Sequence, residues 1–548
     1  MSSKILRNKA FLYATEFFAG MSVMAVELGA SRLLAPYFSS SQVIYTIIIG
    51  TVMIAMALGN LYGGRSADRD PNPAAIYRRM LIAGLWIAAV PFAGRYVILL
   101  ISGLLILSVN TGFLTAAAFA SCMVLFVFPL FLLGTVTPSL ARCILDSADE
   151  SGEVVGRLGA FNTVGSILGT FLPTFVTIPA FGTSVSFVIF SGVLIALALI
   201  YMVSADGFGK KAAVFAAVFV LLSVLSCRAS FAFWEKGLSY EGESVYNYLQ
   251  VKEDRDSVIL STNVLFGVQS VKMKEGGLTG MYYDYALAAP VAALGGRQGG
   301  GAAESGPLDI LILGNGTGTY ATQCARYFPG SVISGVEIDG KITRLAYEYF
   351  DMDPSVDVTE YDGRAYIQSD RGLYDVILVD AYQDITIPFQ MSSLEFFGLV
   401  KDRLKEGGVM AVNMNMHSDG EGSINQYLEG TICEVFGDVM TADVPYTSNR
   451  ELFAVSGGSF KSMFDSGRAA LREESPARDE ALELASLCAE IAGRLEGREP
   501  SGLILTDDRA PVEVLGKKMI DSLIEEELSY YRGIYDREGL RGLIDRLM

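Results

Sequence analysis

Apolar residues along this chain fall into two regimes. Up to Arg228 they run in long, nearly unbroken stretches; beyond it they alternate, or recur in short runs between polar turns. A helix needs about 20 apolar residues to cross the hydrocarbon of a bilayer. Stretches near 10–28, 42–63, 79–95, 112–134, 158–180, 183–204 and 211–227 come up to that length or close to it, and predict seven spans. A further stretch, YVILLISGLLILSV at 96–109, is apolar but short; it either extends the third span or lies re-entrant or interfacial. No signal-peptide cleavage pattern precedes the first stretch, which reads as a retained anchor.

The second regime opens on short strands. Within 245–289, LQVKED, SVILSTN and VQSVKM alternate and are broken by polar turns, which predicts a small antiparallel β unit. GGRQGGGAAESGP at 295–307 reads as a Gly-rich linker or loop. From Leu308, LDILILGNGTGTYATQCARYF is an apolar run, a Gly-rich turn and then a helical pattern. Strand, Gly loop and helix in that order form the nucleotide-binding opening of a doubly wound sheet. The pattern continues through SVISGVEID, VDVTEYDGRAYI and YDVILVDAY, while the charged segment 459–500 reads as solvated helix with no chemistry assigned. The predicted fold is a multi-pass α-helical membrane domain over 1–228, a small antiparallel β domain over 235–292, and an α/β Rossmann-like, methyltransferase-type domain over 305–548.

Charge divides at the same place. Residues 1–228 carry 14 Lys and Arg against 9 Asp and Glu; the remainder carries 28 against 51. A nucleic-acid partner needs a basic face to neutralise phosphate, so an acidic soluble half argues against one. It suits a cationic substrate, and it equally suits plain solubility. The six cysteines form no CxxC pair and His417 is the only histidine, so no metal site is expected and a general base must be a carboxylate, a tyrosine or a lysine. In the apolar half, basic residues concentrate in alternate loops: Lys4, Arg7 and Lys9, then Arg65, Arg69, Arg78 and Arg79, then Arg142 and Arg157, then Lys210 and Lys211. Basic loops stay cytoplasmic, so this chain is expected in the cell membrane, its partner the lipid bilayer, with the N-terminus inside. Seven full spans then carry the soluble half to the other side, and one span fewer or more keeps it inside; the sequence leaves both open. Glu16 and Glu27 fall inside the first span, where a carboxylate implies either a function or an internal partner such as Arg32.

Ligands of open α/β sheets bind at the carboxyl ends of the strands. Gly314, Gly316 and Gly318 let the backbone turn sharply and approach a ligand closely. Glu337 ends the next strand, 23 residues after Gly314, where an acid can accept from both ribose hydroxyls. Asp362, followed by Gly363, ends the third strand and can accept from an adenine amino group; Asp380 ends the fourth. The GxGxG spacing favours nucleoside binding of the methyltransferase kind over a dinucleotide. Each acid could instead cap the next helix, but three successive strand ends favour a site.

GNGTG, EID, YDGRAY and YDVILVDAY, followed by LEFFGLVKDRLKEGGVMAVN, resemble spermidine synthase and its aminopropyltransferase relatives. FGVQSVKM and TGMYYDYALAAP resemble that family's N-terminal β domain and active-site entrance, and ELGASRLLAPYF, GAFNTVGSILGTFLP and LTDDRAPVEVL resemble its membrane-fused bacterial members. The resemblance implies aminopropyl transfer from decarboxylated S-adenosylmethionine, a co-substrate rather than a bound cofactor, to a small-molecule amine such as putrescine. Sulfonium nucleosides form a cytosolic pool, which suits the span count that keeps this half inside. Members commonly pair, so a homodimer is the implied assembly. Carried over, Glu337 binds the ribose, Asp362 and Gly363 the adenine, and Gln269 the nucleoside tail. Asp380 serves as base or amine anchor, Tyr283 steers the amine at the entrance, and Asp384 stands in for a second acid.

The chain departs from the family at three places. Thr317 replaces an aspartate of the Gly-rich loop that holds the donor's ammonium, Gln383 replaces the expected second acid, and Tyr285 replaces an acid after the entrance tyrosine. These leave open a methyltransferase using intact S-adenosylmethionine. Glu16, Glu27 and GNLYGGRSADRDP at 59–71, which resembles a major-facilitator loop, leave open a transporter or sensor that binds without chemistry.

Overall fold

The computed structural model describes residues 8–106, 109, 112–145, 151–206, 210–235, 237–264, 268–299, 306–381, 387–415, 420–474 and 479–547. Its first part is helical: α1 (Lys9–Phe38), α2 (Gln42–Arg69), α3 (Pro73–Ile106), α4 (Phe113–Gly134), α5 (Val136–Ile144), α6 (Ser151–Leu172), α7 (Ile178–Phe181), α8 (Thr183–Asp206) and α9 (Lys210–Cys227). Among the described residues, seven helical stretches are long and apolar enough to cross a membrane by length and composition. The third runs unbroken from Pro73 to Leu105, so the short apolar stretch after residue 96 extends that helix and does not re-enter. Apolar side chains face outward as well as inward, with Met53, Leu61, Leu100, Leu104 and Phe175 all more than half exposed. A helix apolar all round needs an apolar surround.

Small residues set how these helices cross. A Cβ at Gly165 or Gly169 of α6 would collide with the carbonyls of Phe17 and Met21 on α1, so the two backbones touch only because both side chains are hydrogen. Glu16 sits beside this crossing and is fully buried; its Oε1 accepts from Thr137 Oγ1 at 2.6 Å and Asn162 Nδ2 at 2.8 Å. The internal partner expected for Glu27 is not Arg32, whose guanidinium donates to the carbonyls of Val245 and Tyr246.

A four-stranded antiparallel sheet follows: β1 (Leu238–Glu243), β2 (Tyr248–Glu253), β3 (Ser257–Ser261) and β4 (Ser270–Met273). Its first strand precedes the stretch read as strands. Residues 282–299 are helical rather than strand or linker, as α10 (Tyr282–Ala286) and α11 (Ala288–Gly299). The expected glycine loop starts inside α11 for a packing reason: a Cβ at Gly295 would strike the backbone of Met463 and Gly467 on a neighbouring helix. Close helix contact, not chain flexibility, accounts for glycine there.

The larger sheet contains β5 (Asp309–Leu313), β6 (Val332–Glu337), β7 (Asp357–Glu360), β8 (Tyr374–Val379), β9 (Leu404–Met414), β10 (Val439–Asp443), β11 (Arg450–Val455) and β12 (Glu496–Gly497). Between strands lie α12 (Thr319–Tyr327), α13 (Gly340–Tyr349), α14 (Gly363–Ser369), α15 (Leu394–Asp402), α16 (Ile424–Phe436), α17 (Phe460–Glu474) and α18 (Asp479–Ala492). The strand order is β12-β10-β11-β9-β8-β5-β6-β7, parallel from β9 through β7 and antiparallel at the other end. Its order reverses between β5 and β8, and the crevice at such a switch point is where open α/β sheets bind ligands. One apolar core covers each face.

A final helix, α19 (Val512–Leu547), closes the chain. The part that carries the two sheets meets one end of the helical part: Val264 N donates to Pro36 O at 2.9 Å, Gln42 N to Glu513 Oε2 at 3.1 Å, and Thr183 N and Oγ1 to the Glu243 carboxylate at 2.7 and 2.6 Å.

The helix crossing makes a contrast that can be measured. Gly165→Ala and Gly169→Ala should each destabilise the detergent-solubilised protein by about 1–3 kcal/mol, the usual cost of overpacking. Gly156→Ala has nothing within 4 Å of its new methyl and should be neutral or slightly stabilising. Thermal unfolding of the three variants checks this; equal effects would contradict the crossing.

Candidate functional site

At the switch point a cavity of about 840 Å³ opens between the two sheets. The tail of β5 turns at Gly314, whose φ of +92° and closeness to the Asp380 carbonyl exclude any side chain. Gly314, Asn315 and Gly316 line the cavity, with Gln269 and Ser270 facing in from the small sheet. Gly318 does not line it: at φ +75° it caps α12, and a Cβ there would press on the Met352 side chain. Its role is packing.

The three strand-end acids all line the cavity but differ in what they do. Asp362 caps α14, accepting from Ala365 N at 2.8 Å. Gly363 lies beside it in the wall. Glu337 caps nothing. Its Oε2 accepts from Gly316 N and its Oε1 from Asp339 N, each at 2.9 Å. Burial pushes its carboxyl up to about 7 against the pull of these backbone donors. Asp380 also caps nothing: Oδ1 accepts from Asn413 Nδ2 at 2.9 Å and Oδ2 from the Tyr282 hydroxyl at 2.7 Å. Burial pushes Asp380 up to about 7, the two hydrogen bonds lower it, and the charge of Glu337 raises it.

The tyrosines of α10 divide their roles. The phenol on Asp380 is that of Tyr282, whereas the Tyr283 hydroxyl is committed to the Gln269 carbonyl, although its ring also lines the cavity. In α10 successive side chains leave at about 100° intervals, so only one of two adjacent tyrosines can reach the acid. Tyr285 points away to Glu490 Oε1 at 3.0 Å. The buried carboxylate of this segment is Asp284, which accepts from Thr279 N, Gly280 N and Gln323 Nε2 and serves the fold. Thr317 is buried outside the lining, its hydroxyl 3.3 Å from that of Thr319. Gln383, Asp384 and His417 lie outside the described residues.

The sequence reading missed Tyr282, Asn413 and Asn449. Asn449 Nδ2 donates to Asn413 Oδ1 at 2.9 Å, orienting the amide that holds Asp380. The signal for Asn413 was present: it is the polar residue closing the apolar run GGVMAV, at another strand end. Among the described lining residues are Glu337, Asp362 and Asp380 and no Lys, Arg or His. Among the described residues no group of acids, histidines and cysteines is arranged to hold a metal.

A family described as spermine/spermidine synthase domain matches residues 299–455. A probable polyamine aminopropyl transferase of Bifidobacterium longum is 53% identical over 355 residues, covering 63% of this chain and 77% of the relative. A polyamine aminopropyltransferase of Vibrio vulnificus is 27% identical over 242 residues, covering 42% and 77%. Among solved structures, a probable spermidine synthase from Corynebacterium glutamicum aligns with a TM-score of 0.37 at 21% identity, over 49% of this chain and 92% of that one. At 53% identity over an alignment that covers 77% of the Bifidobacterium relative, the chain belongs to the polyamine aminopropyltransferase family.

Proposed function

We propose that the cavity transfers an aminopropyl group from decarboxylated S-adenosylmethionine to a polyamine acceptor such as putrescine, giving spermidine and methylthioadenosine. The observation that carries this reading is the charge of the wall: three carboxyls and no cationic side chain among the described lining residues. The decarboxylated donor bears a sulfonium and an ammonium, and the acceptor bears ammonium groups, so every charge brought in is positive. Intact S-adenosylmethionine would bring a carboxylate with no cation to meet it. That favours aminopropyl over methyl transfer.

In the step itself, the amine lone pair attacks the carbon next to sulfur. The carbon–sulfur bond breaks, its electron pair stays on sulfur, and methylthioadenosine leaves. Holding both cations in line supplies much of the rate. The amine must first lose a proton, and Asp380 is placed to take it. With Asp380 near 7 rather than at an ordinary 3.8, proton transfer from an amine of pKa about 10 is less uphill by roughly 4 kcal/mol. Glu337 serves the ribose, Gly316 and Gln269 flank the tail, and Asp362 with Gly363 serves the adenine.

We place the helical half in a lipid bilayer with the N-terminus in the cytoplasm and the cavity on the opposite side. Lys9, Arg65, Arg69, Arg78, Arg79, Arg142, Arg157, Lys210 and Lys211 gather where α1 begins, α2 ends, α3 begins, α5 ends, α6 begins and α9 begins. The end of α1 and the starts of α2 and α8 instead hold the soluble half. Basic ends stay cytoplasmic.

Asp380→Asn should lower kcat by about 10²–10⁴-fold while leaving methylthioadenosine binding nearly unchanged, measured as methylthioadenosine formed from the decarboxylated donor and putrescine; unchanged turnover would remove Asp380 from the role of base. In the native protein kcat/KM should rise with pH through about 7, as Asp380 ionises. Tyr282→Phe deletes a bond that favours the ionised form, so its midpoint should move to higher pH, whereas Tyr283→Phe should not move it. For topology, alkaline phosphatase fused after Met548 should be active; a fluorescent green-protein fusion with an inactive phosphatase fusion would reverse the orientation.

A further inference from the structure

Behind the cavity wall lies a carboxyl that the reaction as described does not use. Glu451 on β11 is fully buried, and neither of its carboxylate oxygens has a hydrogen-bond partner among the described residues. In the ladders it stands opposite Asn413 of β9 on one side and Ala442 of β10 on the other. Asn413 is the residue whose amide holds Asp380. Glu451 alternates with Leu452 and so shares the face of Phe453 and Val455, an otherwise apolar stripe against α17.

The charged and titratable groups that meet it are few. Asp380 at the end of β8 and the phenol of Tyr320 on α12 act on it electrostatically. Tyr282 on α10, which packs on β11, is bonded to that same Asp380. Residues Phe460 and Phe464 of α17 are apolar. The adjacent Arg450 points to the other face, where Asp443 and Glu429 hold it. Burial, with the charge of Asp380 added, keeps the Glu451 carboxyl protonated far above the usual range. A neutral acid without partners among the described residues contributes nothing that Leu or Met would not contribute better, and it forgoes its hydrogen bonds.

We propose that Glu451 is a positioning residue that loses its proton to solvent when cationic substrates fill the cavity, so that its negative charge exists only in the loaded enzyme. The inference rests on the aminopropyl-transfer reading, in which the acceptor brings ammonium groups into the cavity beside Asp380 and methylthioadenosine brings no charge of its own. The free enzyme thus avoids holding Glu451 ionised out of water, and the loaded one gains a further anion one side-chain layer behind Asp380. Amine binding and proton release are therefore linked.

The test uses the full-length protein in detergent. Putrescine is titrated calorimetrically into the methylthioadenosine complex near pH 7, in two buffers of different ionisation heat, which counts the protons released. Glu451→Gln should release fewer protons than the native protein, by up to about one, and should bind putrescine about 10-fold more weakly. Its affinity for methylthioadenosine should be unchanged, which reports an intact fold. Glu451→Asp, which keeps the acid, should retain most of the release. Equal proton counts in the native protein and Glu451→Gln, or no amine-linked release in the native protein, would overturn the proposal. Turnover of the decarboxylated donor by the native protein is scored separately, so failure of the parent reading is distinguishable from failure of this one.

Discussion

Carboxyl groups kept out of water, at the ends of neighbouring strands and with no cationic side chain beside them among the described lining residues, are the constraint on which this molecule depends. Each of Glu337 and Asp380 costs free energy to ionise where it stands, which is why burial lifts both to about 7. The fold tolerates this because backbone donors at Gly316 and Asp339 and side-chain donors at Tyr282 and Asn413 meet the oxygens. The doubly wound topology places these acids together. Parallel strands β5, β6 and β8 all end on one edge, and the reversal of order between β5 and β8 opens the crevice into which they point. A cationic substrate supplies the charge that the wall lacks.

Much of this was legible in the sequence where a local rule acts alone. Hydropathy located the seven long helices, and the strand–glycine–helix opening at Leu308 placed Glu337, Asp362 and Asp380 at strand ends. What could not be read were outcomes of packing. Gly295 and Gly318 look like loop glycines in the chain, yet one permits a helix crossing and the other yields to Met352. Nothing local tells which of the adjacent Tyr282 and Tyr283 bonds Asp380; the rotation of a five-residue helix gives that bond to Tyr282, while both rings line the cavity. Glu451 gave no signal, since a charged residue between Arg450 and Leu452 reads as an exposed strand position until the sheet order buries it.

The two halves share more than a chain. Residues 246–247 and 262–263, which wall the cavity on the side of the small sheet, adjoin the places where α1 is bonded: the carbonyls of Val245 and Tyr246 receive Arg32, and Val264 N donates to Pro36 O. Ile520 of α19 also lines the cavity while the same helix touches α2 through Glu513. The helical half therefore takes part in fixing the shape of the cavity wall.

Asp380 titrates near neutrality because it is buried beside Tyr282 and Asn413, with no cationic side chain among the described lining residues. Infrared difference spectra of the substrate-free protein against Asp380→Asn, followed from pH 5 to 9, measure that carboxyl directly. The account predicts a protonated carboxyl band at pH 5 that gives way to carboxylate with a midpoint near 7. A carboxylate already fully ionised at pH 5 would contradict it.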